Sequence, residues 1–432
     1  MIRRDAPAPM LRRGPRPLLM HLMLNPWHPE SSHSCAARSP DSNDASSSSK
    51  PEADARQNAA SPHPGPDPAF LAGVAAYRRH PYARDLPDPP VLWQDGETRL
   101  LDYGRRDDDG TDDAIPAVFV PSLINRGTIL DLSADRSMLR WLADRGIKPL
   151  LLDWGWPGEV ERQFDLTDYI ARRLEPAIAA AAASHPGGRI VLLGYCMGGL
   201  LAIAAAQRQP GRIAALGLIA TPWDFHAGSA VPAPAVPGLM RTLRSLADVD
   251  GALSVDAIQI AFASLDPSSI AAKFRRLGAL PQDSDQARLF VAIEDWLNDG
   301  VPLAGRVAVE CLHGWYGEND PARGNWRVGG NTVDPTLLDL PTLLVLPGRD
   351  RIVPPESAAA LVGQIRGAKV LELPGGHVGI VAGPRAPDLL WKPLLRWLRS
   401  MDRAATAGRA ASRPRSSGRM RRSGQDARSA AP

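Results

Sequence analysis

Cysteine is scarce: the 432 residues hold three, Cys35, Cys196 and Cys311. Three thiols are too few for the disulfide framework of a small secreted protein, and they suit a reducing compartment. No Cys/His cluster has metal-ligand spacing, so no metal is expected. No apolar run reaches 18 residues, which argues against a membrane-spanning helix. The stretch Pro17-Leu18-Leu19-Met20-His21-Leu22-Met23-Leu24 superficially resembles a signal peptide. Its apolar core is short, contains His21 and lacks a small-residue cleavage site, so a cytoplasmic protein is expected. One-signed charge is also absent. The net charge is +3, and from Arg403 onward eight Arg face the single Asp426. That tail reads as solvated and disordered, with no nucleic-acid partner expected.

What is abundant is proline, 42 residues, together with Ala and Arg. Residues 1–66 are rich in Pro, Ser, Ala and Arg without lasting periodicity and read as a disordered tail. Residues 67–225 then alternate apolar strands with helical segments. Strands are expected at Thr98–Tyr103, Ile115–Val120, Lys148–Asp153, Ile190–Leu193 and Ala214–Ala220, and a turn at Asp107–Gly110. Helices are expected at Phe70–Arg79, Ser133–Arg145 with Ser133 as N-cap, and Asp168–Ala183 with Thr167 as N-cap. Residues 226–338 break the rhythm and read as an inserted cap. It resumes over 339–400: strand Thr342–Leu346, helix Ser357–Ile365, strand Lys369–Leu373, closing helix Pro387–Ser400. Residues 401–432 form the Arg-rich tail. This succession is the signature of an α/β protein with a mostly parallel, doubly wound sheet.

The chain is organised around Gly194-Tyr195-Cys196-Met197-Gly198-Gly199. An apolar strand enters this stretch and a helical run from Leu200 leaves it, so a nucleophile-type side chain stands at a sharp strand-to-helix turn. Glycines suit such a turn because it is strained and because neighbouring backbone passes close to it. The usual elbow carries Ser; this one carries Cys. Two further strand ends hold matching partners, Asp350 and His377. Nucleophile, acid, His is the chain order of the α/β-hydrolase fold, in which the three converge at one sheet edge. The imidazole would take the thiol proton and the carboxylate would fix the ring's tautomer. In this fold the oxyanion hole combines the N–H after the nucleophile, here Met197, with one from the loop Pro121–Arg126, where Leu123 and Ile124 are the candidates. Trp154, Trp223 and Trp315 are candidate walls of a substrate pocket. His313 and Cys311 read as packing or surface rather than chemistry.

The motifs together are similar to those of polyhydroxyalkanoate synthases, above all the short catalytic subunits that work with a non-catalytic second subunit. The matching pieces are Pro121–Asp131, Asp135-Arg136-Ser137, Leu152-Asp153-Trp154-Gly155, the Cys196 elbow, Asp350 with Val353-Pro354, and Gly376-His377-Val378-Gly379. The resemblance spans roughly residues 70–400. Arg351 stands where that family usually has His, Leu200 where a small hydroxyl residue is frequent, and Ser122 where Pro is common. The resemblance implies transfer of 3-hydroxyacyl groups from coenzyme A onto a growing polyester through Cys196 thioesters. His377 would activate the thiol, and Asp350 would support His377 or help activate the incoming hydroxyl. It requires no cofactor, coenzyme A entering only as the substrate thioester. It also implies association with polyester granules, a second synthase subunit and a homodimer as partners. The competing reading is a Cys-dependent hydrolase: an esterase, thioesterase or polyester depolymerase. An acyl-thioester keeps the acyl group activated for the next transfer, which a synthase needs and a hydrolase does not.

Overall fold

The structure, a computed structural model, describes residues 12, 14–24, 67–104, 114–228, 238, 241–242, 245, 247, 251–265 and 267–412. The turn expected at Asp107–Gly110, Cys35, most of the N-terminal tail and the tail beyond 412 lie outside the described residues.

Eight strands form the central sheet: β1 Val91–Asp95, β2 Thr98–Asp102, β3 Pro116–Val120, β4 Lys148–Asp153, β5 Ile190–Tyr195, β6 Ile213–Ile219, β7 Thr342–Pro347 and β8 Lys369–Leu373. Their order is β1-β2-β4-β3-β5-β6-β7-β8. β1 pairs antiparallel with β2 and β2 with β4, and every later pairing is parallel. The central strands are apolar along their whole length because helices cover both faces. Side chains alternate between those faces. Val118, Val120 and Leu192 enter one core; Ala117, Phe119, Val191 and Leu193 enter the other. The outermost strand is β1, beyond the edge expected at Thr98.

The helices that bear on function are α1 Leu18–Leu24, α2 Pro68–Arg79, α3 Met138–Ala143, α4 Glu175–Ala183, α5 Met197–Arg208, α6 Val255–Leu265, α7 Pro267–Ala279, α8 Asp285–Asn298 and α9 Lys392–Ser412. Several depart from the sequence expectation. α1 lies inside the segment read as disordered, with Leu18 packed on a core shared by α2, α7 and α8. α3 begins late, and its N-cap is Ser137, which accepts from Arg140 N, rather than Ser133. The segment before α4 starts two residues earlier than expected: Asp165 and Asp168 form a capping box, displacing Thr167 as the cap. The helix expected over Ser357–Ile365 is confined to Pro355–Ala359. α9 continues twelve residues past 400, through an Ala-rich stretch of high helix propensity, so the C-terminal tail does not begin there.

Between β6 and β7 the chain inserts α6, α7 and α8, a short helix Gly305–Val309, a π-helix Glu310–Gly317 and two small strand pairs. α2 and α7 lie almost backbone to backbone at Gly73, where any Cβ would strike Phe274. Phe70 and Tyr77 meet the Phe274 ring edge-on, with centroids 5.9 and 5.8 Å away.

Candidate active site

β5 delivers Cys196 and α5 starts at the next residue. Cys196 sits at φ 55° and ψ −130°, a backbone region that L-residues rarely occupy. Three glycines make that turn buildable. A Cβ on Gly194 would strike Gly199, one on Gly199 would strike Thr221, and one on Gly198 would lie 2.6 Å from the Pro121 carbonyl oxygen and nearer still to that of Val120. The last contact seats the elbow directly against the loop that leaves β3.

β7 and β8 bring up the other two groups. Asp350 and His377 are both buried. His377 Nδ1 lies 2.7 Å from Asp350 Oδ2, while Asp350 Oδ1 accepts the Ile352 and Val353 N–H groups, each at 2.9 Å. The carboxylate is therefore fixed by backbone on one oxygen and fixes the imidazole with the other. Burial alone would lower the His377 pKa. The charge of Cys196, hydrogen bonds to Asp350 and Cys196, and the charge of Asp350 outweigh it and push the value up to about 10. The pocket therefore favours imidazolium at His377 beside Cys196. Tyr195 completes the seat: its ring lies 5.1 Å from that of His377, and its hydroxyl donates to the His377 carbonyl oxygen at 3.2 Å. The structure brings Cys196, His377 and Asp350 together.

The candidate oxyanion donors divide. Met197 opens α5, so its N–H belongs to a first turn with no partner inside the helix. The Ile124 N–H is engaged by Ser122 Oγ at 3.1 Å, which leaves Leu123 as the stronger candidate from the loop. The loop is held from several sides. The Trp154 indole donates to the Pro121 oxygen at 3.0 Å, the Trp296 indole to the Arg126 oxygen at 2.7 Å, and Val301 N to the Ile124 oxygen at 2.9 Å. Just beyond it, the fully buried Asp131 accepts from Arg84 at 2.7 Å, Arg140 at 2.8 Å and Tyr103 at 3.1 Å.

Trp154, Trp223 and Trp315 are buried members of the apolar cluster against which Cys196 packs. Trp154 serves the Pro121 loop, with its ring edge-on to Tyr169 at 5.6 Å. Trp315 stacks on Phe225 at 5.6 Å and meets Trp326 edge-on at 5.3 Å. Cys196 itself is half-buried, not enclosed. Sequence reading missed Tyr316, next to Trp315 on the π-helix. The residue is 44% exposed, yet burial of its hydroxyl end, and then the charges of Cys196 and Cys311, push its pKa up. Its ring meets Phe225 edge-on at 4.9 Å, beside the Phe225–Trp315 stack. No spacing rule flags it, because a π-helix shifts the facing position. Among the described residues no group of His, Cys, Asp and Glu is arranged to hold a metal.

A family model described as the alpha/beta hydrolase fold matches residues 127–384. The chain is 28% identical over 319 residues to a poly(3-hydroxyalkanoate) polymerase subunit PhaC of Haloferax mediterranei, covering 73% of this chain and 64% of that one. It is 26% identical to the protein of the same name from Haloarcula marismortui, covering 71% and 66%. With that of Allochromatium vinosum it shares 28% over 307 residues, covering 70% and 86%. The chain thus spans just under two thirds of the length of the two haloarchaeal relatives. Among solved structures, a thioesterase domain from the curacin biosynthetic pathway matches at TM-score 0.42 and 17% identity, over 70% of this chain and 95% of that one.

Proposed function

The chain belongs to the alpha/beta hydrolase fold family, and on that premise we propose that it joins 3-hydroxyacyl groups from coenzyme A thioesters into polyhydroxyalkanoate through a thioester on Cys196. The observation that carries the reading is the joining of Cys196, His377 and Asp350 on a chain similar to named polymerase subunits.

In acylation the Cys196 sulfur attacks the thioester carbonyl, and the negative oxygen of the tetrahedral intermediate is held by the Met197 and Leu123 N–H groups. His377 receives the thiol proton and returns it to the departing coenzyme A thiolate, so a C–S bond forms as another breaks. Asp350 holds the ring tautomer throughout. In transfer a 3-hydroxyl group attacks the acyl-thioester, loses its proton to His377, and an ester bond forms as the Cys196 thiolate leaves. Thioester to thioester is nearly isoenergetic, and thioester to ester runs downhill. The polymerase subunits among the relatives are named as subunits, which supports a non-catalytic partner chain. Among the described residues no helix is long and apolar enough to cross a membrane. A cytoplasmic protein at the surface of polyester granules, paired as a homodimer, fits this reading.

Half-burial of Cys196 favours a second reading, a Cys hydrolase, because water reaches a partly open thioester. The two separate in one experiment. Purified protein is given 3-hydroxybutyryl-CoA, and coenzyme A release is set against polymer and free acid. Polymer is expected; free acid alone overturns the synthase reading in favour of the hydrolase.

A further inference from the structure

Residues 12 and 14–21 lie outside the stretch that carries the catalytic motifs, yet they are built into the body. Arg12 grips Asp295 on α8 with both oxygens, Nε to Oδ1 at 2.7 Å and Nη2 to Oδ2 at 2.6 Å. The same guanidinium donates to the His80 and Tyr82 carbonyl oxygens, each at 2.5 Å, and is only 12% exposed. Tyr77 on α2 donates to Asp295 Oδ1 at 2.8 Å and accepts from Asn298 at 3.0 Å. Arg16 donates to the Asn298 oxygen at 3.0 Å and pairs with Asp256 on α6 at 3.3 Å.

The residues that follow on α8 and just beyond it are those that hold the loop leaving β3. The Trp296 indole bonds the Arg126 oxygen, Asp299 pairs with Arg126 at 2.9 Å, and Val301 N bonds the Ile124 oxygen. Within seven residues, Asp295 to Val301, one segment is gripped by Arg12 and Arg16 on one side and grips the oxyanion loop on the other. A bidentate, largely buried Arg–carboxylate pair is the kind that fixes geometry, unlike an exposed ion pair.

We infer that Arg12 and Arg16 are positioning residues for the oxyanion loop, acting through the Asp295–Val301 segment. The inference rests on the acyl-transfer reading above for its effect on turnover, but its structural link stands apart from that reading. An oxyanion donor misplaced by a fraction of an ångström loses its strength in the tetrahedral intermediate and nowhere else. The strap's influence therefore falls on kcat more than on KM. It leaves untouched a reaction of Cys196 that has no such intermediate.

The test uses the full chain and the variants Arg12→Ala, Arg12→Lys and Arg16→Ala. Leu398→Ala, a cavity in the core far along the sequence, controls for general destabilisation. Coenzyme A release from 3-hydroxybutyryl-CoA, alkylation of Cys196 by iodoacetamide and hydrogen exchange at residues 122–126 are measured together. Arg12→Ala is expected to lower kcat about tenfold with KM and alkylation unchanged, and to speed exchange at residues 122–126. Arg16→Ala should do the same to a smaller degree, and Arg12→Lys should recover part of the loss. Leu398→Ala should lower the Tm without the kcat loss or the local exchange. Unchanged exchange at 122–126 in Arg12→Ala overturns the strap whatever the turnover shows. A wild type that exchanges as expected but releases no coenzyme A overturns the acyl-transfer reading and leaves the link in place.

Discussion

Gly198→Ala isolates the contact between the elbow and the oxyanion loop. The added methyl would lie 2.6 Å from the Pro121 oxygen and closer to that of Val120, where carbon atoms do not approach below 3.0 Å. Both obstacles are backbone, so neither can swing aside as a side chain would. The end of β3 and the loop after it must retreat from α5 by roughly 1 Å, a displacement at which correctly placed catalytic groups lose on the order of 10²-fold in rate. Crowding a packed interior adds about 1–3 kcal/mol of destabilisation. Gly211 has nothing within 4 Å of the corresponding position, so Gly211→Ala is the matched control. Steady-state acyl release, Tm and the iodoacetamide rate at Cys196 are read on both. The expected pattern for Gly198→Ala is a hundredfold loss of kcat, a lower Tm and a nearly unchanged alkylation rate. Wild-type turnover in that variant would refute the placement of the oxyanion hole between α5 and the Pro121 loop.

The remaining expectations follow from the charged groups. His377→Gln removes the proton acceptor beside Cys196, so the pH profile of iodoacetamide alkylation should move upward; an unchanged profile would show that His377 is not the base. Glu310, at the head of the π-helix, is pushed up to about 7 by burial and then by the Asp165 charge. A carboxyl raised in the folded state is stabilising while protonated, so its contribution is complete below about pH 4.5 and is lost as pH rises through 7. Glu310→Gln should therefore flatten the fall in unfolding free energy between pH 5 and pH 8, by up to about 3 kcal/mol at the upper end, read from denaturant melts at each pH. Equal slopes in the two proteins would dismiss that carboxyl as the cause.

The central sheet was legible because its strands are short, continuous apolar runs ending in turn residues, as Ile190–Leu193 and Thr342–Leu346 show. The candidate triad was legible for a different reason: the fold places each member at a strand end, so chain order stands in for geometry. What stayed hidden depends on distant pairings. Arg12 meets Asp295 across 283 residues, and nothing in the composition of the N-terminal segment separates a docked residue from a solvated one. Helix starts shifted wherever two capping residues competed, as at Ser133 and Ser137, or Thr167 and Asp165, because side-chain reach and not residue type settles the choice. The walls expected from Trp154 and Trp315 illustrate a further limit. An indole marks apolar surroundings, but whether it lines a cavity or, like Trp154, ties down a loop depends on where its N–H finds an acceptor.

The central claim is that the growing acyl group is carried on Cys196. Wild type and Cys196→Ala are each mixed with 3-hydroxybutyryl-CoA, quenched in acid within the first turnovers and weighed intact, with the modified peptide then sequenced. The account predicts a series of masses separated by whole 3-hydroxybutyryl units on the Cys196 peptide, removed by hydroxylamine and absent from the variant. Coenzyme A released with no adduct on Cys196, or turnover surviving in Cys196→Ala, would contradict it.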